Sequence, residues 1–261
     1  MANDHSGFPQ LTYQSAIGSG KPFTIRAQEN PAPCPFCDHS QLPPVIRQDG
    51  DVLLVPNKYP ILKGSDPFVL IETGECESEL SLYPEERLLR VMGMGFALWR
   101  EMTSSGSYRS VLFLKNHGPF SGGSIRHPHM QILGFKDVDC YTHVRRASFF
   151  GPVIHQAPGV ELNVSDHPRV GFVEFNVILS EEDAFNSFCT LIQKAVQYIL
   201  GYFHNGGVDS YNLFFYPCDG MTCCKIMPRT ATTPIFVGYS IPQVTDGLAG
   251  VVEDFQERFF S

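Results

Sequence analysis

Residues 116–131 read Asn116-His117-Gly118-Pro119-Phe120-Ser121-Gly122-Gly123-Ser124-Ile125-Arg126-His127-Pro128-His129-Met130-Gln131. A Gly/Ser loop of this kind brings backbone N–H groups close to a phosphate. Behind it, an extended His-x-His-x-Gln segment sets three polar side chains on one face of a strand. An imidazole that attacks phosphorus, with polar donors around the phosphate oxygens, fits this pattern. The chain is therefore a candidate nucleotidyl-group transferase.

On both sides of the loop the sequence reads as α+β. Val111 to Leu114 and Met130 to Phe135 are strand-like, as are Asp51 to Val55 and Pro67 to Ile71, which are joined by the turn-rich Asn57-Lys58-Tyr59-Pro60. A helix is predicted from Pro84, with Glu85 and Glu86 in its first turn. Leu88, Leu89, Met92, Phe96, Trp99 and Met102 recur at helical spacing before Ser104-Ser105-Gly106 ends it. The second half repeats the plan. A strand at Val173 to Leu179 leads to a helix capped by Ser180, with Phe185, Phe188, Leu191, Ile192, Ile199 and Phe203 as its apolar face. Strands are expected at Tyr211 to Tyr216 and Ile235 to Tyr239. Strand, helix, strand, loop, strand thus occurs twice, as in a degenerate internal duplication with antiparallel sheets flanked by helices. The second copy has Cys224-Lys225-Ile226-Met227 where the first has its histidines, so one copy carries the chemistry. This gives an extended N-terminal arm over 1–33, with one or two short strands, a catalytic half over 34–150 and a degenerate half over 151–261.

Composition narrows the class. Of 261 residues, 43% are apolar and 18% charged, as in a globular protein with a sizeable core. The formal charge of −8 and the absence of a basic run argue against a nucleic-acid surface or an anionic membrane. The N-terminus has no basic segment followed by an apolar one, and no apolar run is long enough for a span, so a cytoplasmic address is expected. In that setting the eight cysteines read as thiols or metal ligands.

Cys34-Pro35-Phe36-Cys37 is a CxxC turn whose thiolates can share one zinc ion; a redox pair or two unrelated thiols remain open. Two further ligands are placed to join it: Cys76, in the turn after a strand, and His127. Three thiolates and an imidazole make a closed tetrahedral site, structural rather than catalytic, with free thiols as the alternative. Cys189 reads as packing, and the adjacent Cys223 and Cys224 as unlinked thiols.

These residues resemble the histidine-triad superfamily, in the branch of galactose-1-phosphate uridylyltransferase and its nucleotidyltransferase and phosphorylase relatives. The resemblance runs from Cys34 to about Tyr239. It implies a nucleophile at His129, a structural Zn2+ ion on Cys34, Cys37, Cys76 and His127, and phosphate contacts from Asn116, Ser124 and Gln131. Gly123 belongs to the same loop. Asn57 and Lys58 fall on the nucleotide-holding segment, Lys58 standing where the family has an acidic residue at the ribose. Ser210-Tyr211-Asn212-Leu213 and the stretch from Arg229 to Tyr239 resemble segments that contact the hexose. The family's sugar-recognising side chains, however, fall on Pro234, Ser240 and about Asp246, so the resemblance carries the chemistry and not the sugar. Dimerisation is common in the family, and a homodimer is expected.

The expected reaction is attack by neutral His129 on the α-phosphorus of a nucleotide or nucleotide-sugar substrate, giving a covalent nucleotidyl-imidazole. Lys115 and Arg126 flank the loop as further candidate cations. Histidine-triad hydrolases carry a third histidine where this chain has Gln131. Glutamine cannot give a proton to a poor leaving group, so it suits an already acidic one, such as a sugar phosphate. Transfer between phosphorylated substrates is the first reading and phosphorolysis of a nucleotide sugar or dinucleoside polyphosphate the second. A non-catalytic nucleotide- or zinc-binding protein is the third.

Overall fold

The computed structural model describes residues 10–25 and 33–261. After a short helix, α1 (Ser15–Gly18), come β1 (Arg47–Asp49), β2 (Val52–Pro56), β3 (Ser65–Ile71), α2 (Glu85–Ser104), β4 (Ser110–His117) and β5 (His129–Phe135). The second half has β6 (Val153–Ala157), β7 (Val160–Val164), β8 (Gly171–Phe172), β9 (Phe175–Leu179), α3 (Phe185–Gly201), β10 (Tyr211–Cys218) and β11 (Met221–Pro228). It closes with α4 (Pro234–Tyr239), β12 (Gln243–Val244) and α5 (Leu248–Phe259).

The two halves form one continuous ten-stranded antiparallel sheet, ordered β1-β2-β3-β5-β4-β10-β11-β9-β7-β6. The order reads the same from either edge, so the internal duplication expected from the sequence is present in the topology. The halves meet at β4 and β10, where Asn116 lies opposite Asn212 and Phe113 opposite Phe215. The Phe113 and Phe215 rings stack at 4.4 Å, and Phe96 of α2 meets each of them edge-on. Such aromatic pairs contribute about 0.5–1.5 kcal/mol each beyond their buried area.

Both long helices lie on this face of the sheet. Of the residues expected on the apolar face of α2, Leu88, Met92, Phe96, Trp99 and Met102 are buried, with Val91 beside them, while Leu89 is half-buried. Gly95 lets the helix sit on β4, because a Cβ there would come within 2.5 Å of the Phe113 ring. Pro84 is the N-cap rather than the first helical residue, with Glu85 and Glu86 in the positive first turn. In α3, Phe188, Leu191, Ile192, Ala195 and Ile199 are buried. Cys189 packs there too, as its position predicts.

Four further expectations need correction. Residues 235–239 are helical, not extended: Pro234 occupies the start of α4 and Thr233 Oγ1 accepts the Phe236 N–H at 3.2 Å, so capping outweighs the β-branched run. Ser180 caps nothing; a 3-10 turn at Glu182–Ala184 intervenes and α3 starts at Phe185. Within residues 10–25 the arm holds α1 and a single bridge from Tyr13 to Leu62 rather than strands; the rest of that expectation lies outside the described residues. Lys115 points away from the loop, because it follows the period-two alternation of β4 into the helix-side core. There it meets Glu72 Oε1 at 2.5 Å, with Tyr83 donating to Glu72 Oε2 at 3.0 Å, and both charged side chains are buried.

That pair generates a stability test. Removing one partner of a buried ion pair strands the other charge, at a cost of about 3–5 kcal/mol. Lys115→Met should lower the urea-unfolding free energy by that order. Adding Glu72→Gln to it should recover part of the loss.

Candidate active site and metal centre

The loop leaving β4 is pinned on two sides. Gly118 takes φ +81°, and a Cβ there would lie 2.2 Å from the Asp209 carbonyl oxygen, so the backbone passes hard against the start of β10. Phe120 donates its N–H to Ser210 Oγ at 3.1 Å, and Ser121 Oγ donates to the Gly118 carbonyl at 2.7 Å. The N-terminal arm fixes the far end. The Thr24 N–H donates to the Ser124 carbonyl at 2.7 Å, and the Arg126 N–H to Thr24 Oγ1 at 2.9 Å.

His127 lies in the bend just before β5, and His129 opens the strand. His129 Nδ1 stands 2.8 Å from the His127 carbonyl oxygen. A carbonyl only accepts, so Nδ1 carries the proton and Nε2 keeps its lone pair. Burial pushes this ring down to about 3, with the charges of Lys115 and Lys21 acting in the same direction, so the imidazole is neutral at physiological pH. His127 has the opposite tautomer. Its Nε2 lies 2.7 Å from the Thr73 carbonyl oxygen, leaving bare Nδ1 at 3.5 Å from both Cys34 Sγ and Cys37 Sγ.

One cleft gathers the residues expected to act on substrate. His129, Gln131, Asn116, Gly123, Ser124, Asn57 and Lys58 all line it, together with Lys21, Phe36, Gln41 and Val55. Asn116 is oriented from across the seam. Asn212 Nδ2 donates to the Ser121 carbonyl at 3.0 Å and to Asn116 Oδ1 at 2.6 Å, which turns the Asn116 amide N–H group outward as a donor. Asn57 Oδ1 accepts the Tyr59 N–H at 2.9 Å, so it shapes its own turn, while Lys58 is exposed at the rim. Phe36 packs edge-on against both histidine rings and belongs to the small core on this side of the sheet. Arg126 lies outside the cleft and pairs with Glu77 on the surface.

Sequence reasoning missed two contributors. Lys21 sits in no motif, and only the path of the arm brings it here. Asn212, grouped by resemblance with a hexose-contacting segment, is buried beneath the loop as a positioner of Asn116.

Beside the cleft, Cys34, Cys37, Cys76 and His127 place their ligand atoms within 4.8 Å of one another. The donor chemistry fits a zinc ion: three thiols and an imidazole whose facing nitrogen is unprotonated, with no position left for substrate. Burial raises all three thiols; in Cys34 alone hydrogen-bonding contacts, those with the backbone of Phe36 and Cys37 among them, outweigh it and bring the group down to about 6, while Cys37 and Cys76 stay raised. A bound cation would be needed to hold all three as thiolates.

The fold is shared with solved uridylyltransferase and ADP-glucose phosphorylase structures, as the resemblance in the sequence leads one to expect. A uridylyltransferase mutant structure matches at TM-score 0.68 with 15% identity, covering 96% of this chain and 100% of that one. An ADP-glucose phosphorylase from Arabidopsis thaliana, solved with bound ADP-glucose, matches at TM-score 0.66 with 15% identity, covering 96% and 99%. Within that fold the chain belongs to the DUF4931 family. Residues 13–138 match its N-terminal domain and 141–260 its C-terminal domain, each described as a domain of unknown function. A crystal structure of a DUF4931 family protein from Bacillus cereus is 38% identical, with TM-score 0.76, covering 84% of this chain and 100% of that one. A curated di-/tripeptide transporter of Lactobacillus helveticus is 24% identical over 103 residues, and the chain spans 20% of its length. Among the described residues no helix is long and apolar enough to cross a membrane.

The cluster defines a metal test. Structural zinc contributes on the order of 10 kcal/mol in small zinc peptides. The purified protein should carry one zinc ion per chain by elemental analysis. Cys76→Ser or His127→Ala should reduce the metal content and the thermal midpoint together.

Proposed function

We propose that this chain is a nucleotidyltransferase acting through a covalent nucleotidyl-His129 intermediate. It would move a nucleoside monophosphate between phosphorylated substrates, sugar phosphates first among them. The observation that carries this reading is the fixed tautomer of His129 in a cleft that also holds Asn116, Ser124 and Gln131. Nε2 attacks the α-phosphorus, the N–P bond forms, and the bond to the bridging oxygen breaks with its electron pair leaving on the departing phosphate. A phosphate oxygen of the acceptor then attacks the same phosphorus and releases the ring. The Asn116 amide, the Ser124 hydroxyl and the Gln131 amide would donate to the phosphoryl oxygens as charge redistributes. Nδ1 keeps its proton throughout, and the carbonyl bond supports the positive charge of the adduct.

Zinc on Cys34, Cys37, Cys76 and His127 would hold the cluster and the bend, and its chemistry there is structural. Phosphorolysis is the second reading. It is favoured by Pro234, Ser240 and Asp246 standing where the resembling family recognises its hexose, which leaves inorganic phosphate as a simpler acceptor.

Nucleotide sugars and dinucleoside polyphosphates of all four common bases, incubated with the protein, should leave an acid-labile nucleotidyl adduct on His129 by mass spectrometry. Discharge by sugar phosphates supports transfer, and discharge by inorganic phosphate supports phosphorolysis. Tight nucleotide binding without an adduct would instead mark a non-catalytic binder. His129→Ala should lower turnover at least ~10⁴-fold, as loss of a nucleophile does, with metal content and thermal midpoint unchanged.

A further inference from the structure

Three of the lysines of this fold, Lys21, Lys115 and Lys225, are partly or fully buried in contrasting surroundings. Lys115 and Lys225 are fully buried, and each meets a carboxylate: Glu72 at 2.5 Å and Glu174 at 3.0 Å. Lys21 is half-buried and lines the cleft, yet among the described residues it has no ion pair. Among the described residues the cleft has no Asp or Glu in its lining, in a chain with a formal charge of −8. Partial burial lowers the Lys21 ammonium from its ordinary value, and among the described residues no carboxylate pairs with it. An anion entering the cleft would offset that cost.

The arm fixes where this charge sits. Gln14 donates its N–H to the Ile61 carbonyl at 2.8 Å, and Lys63 donates its own to the Thr12 carbonyl at 3.0 Å. Ten residues further on, Thr24 is bound to Ser124. Lys21 lies between these two anchors, and its charge acts on the His129 ring. Gln131 offers no proton to a departing group, so charge must take its place.

We infer that Lys21, carried over the cleft by the N-terminal arm, binds the phosphate that leaves His129-linked phosphorus and the phosphate that replaces it. The inference deepens the transfer reading and rests on it for the word "leaving"; the anion subsite itself does not.

The test separates the two. In a His129→Ala background, where no adduct forms, the binding of nucleosides, nucleoside monophosphates and nucleoside diphosphates (ADP, UDP, GDP and CDP) is measured with and without Lys21→Met. Loss of one charge-assisted contact should weaken the diphosphates about 10- to 100-fold, leave the nucleosides within about twofold, and be largely restored by Lys21→Arg. The thermal midpoint of each variant excludes a folding defect. Equal weakening of nucleoside and diphosphate, no weakening, or no diphosphate binding with Lys21 present would each overturn the inference. With His129 intact, Lys21→Met should slow adduct formation from dinucleoside polyphosphates far more than from a nucleotide p-nitrophenyl ester, whose leaving group is not a phosphate. Equal slowing overturns the leaving-phosphate role. If the wild type forms no adduct while the diphosphate effect persists, the transfer reading falls and the anion subsite stands.

Discussion

The hydrogen bond from His129 Nδ1 to the carbonyl of His127, 2.8 Å long, is the constraint on which the site depends. It decides which ring nitrogen is protonated, and so which one faces the cleft with a lone pair. The residue that supplies this carbonyl has its own ring locked in the other tautomer by Thr73, with Nδ1 toward Cys34 and Cys37. One His-Pro-His step therefore sets two imidazoles to two tasks. The thiol cluster holds the bend, the bend holds the carbonyl, and the carbonyl holds His129. The thiol–imidazole cluster and the ring proposed as nucleophile are thereby joined through a single backbone oxygen.

In the second half the chain fills the position that corresponds to the cleft. In the second half, Lys225 lies opposite Asn176, and Asn176 opposite Asn163, in a buried polar row across β11, β9 and β7. The turn at Arg146–Phe149 comes down on that row. Lys225 Nζ donates to the Ser148 carbonyl at 2.6 Å and lies 5.4 Å from the Phe149 ring centroid. The chain itself occupies the space that the first half leaves open between its sheet and the Gly/Ser loop. Cys223 and Cys224, adjacent on β11, fall into separate core clusters on opposite faces, which keeps them from sharing an ion.

The parts of the site legible in the sequence were those set by local chemistry. His129 and Gln131 share one face of β5 as their spacing predicts, and the CxxC pair meets Cys76, whereas His127 lies in the bend before the strand and turns to the thiols instead of the cleft. The helical face of α2 and the strands on either side of the loop were legible for the same reason. The seam between β4 and β10 was not: that Asn212 would orient Asn116 is a register fact between residues almost a hundred positions apart. Lys115 beside a phosphate loop looks like a phosphate ligand until strand alternation places it in the opposite core. Residues 235–239 carry an extended-looking pattern that Thr233 and Pro234 override at their start. Lys21 needed the path of the arm.

Nitrogen-15 NMR of the metal-loaded protein, labelled at histidine, tests the central claim most directly, because the shifts of the two ring nitrogens report proton and metal separately. The account requires His129 to show a protonated Nδ1 and a bare, metal-free Nε2 across neutral pH, and His127 to show a protonated Nε2 with a metal-bound Nδ1. A proton or a metal ion on Nε2 of His129 would contradict it.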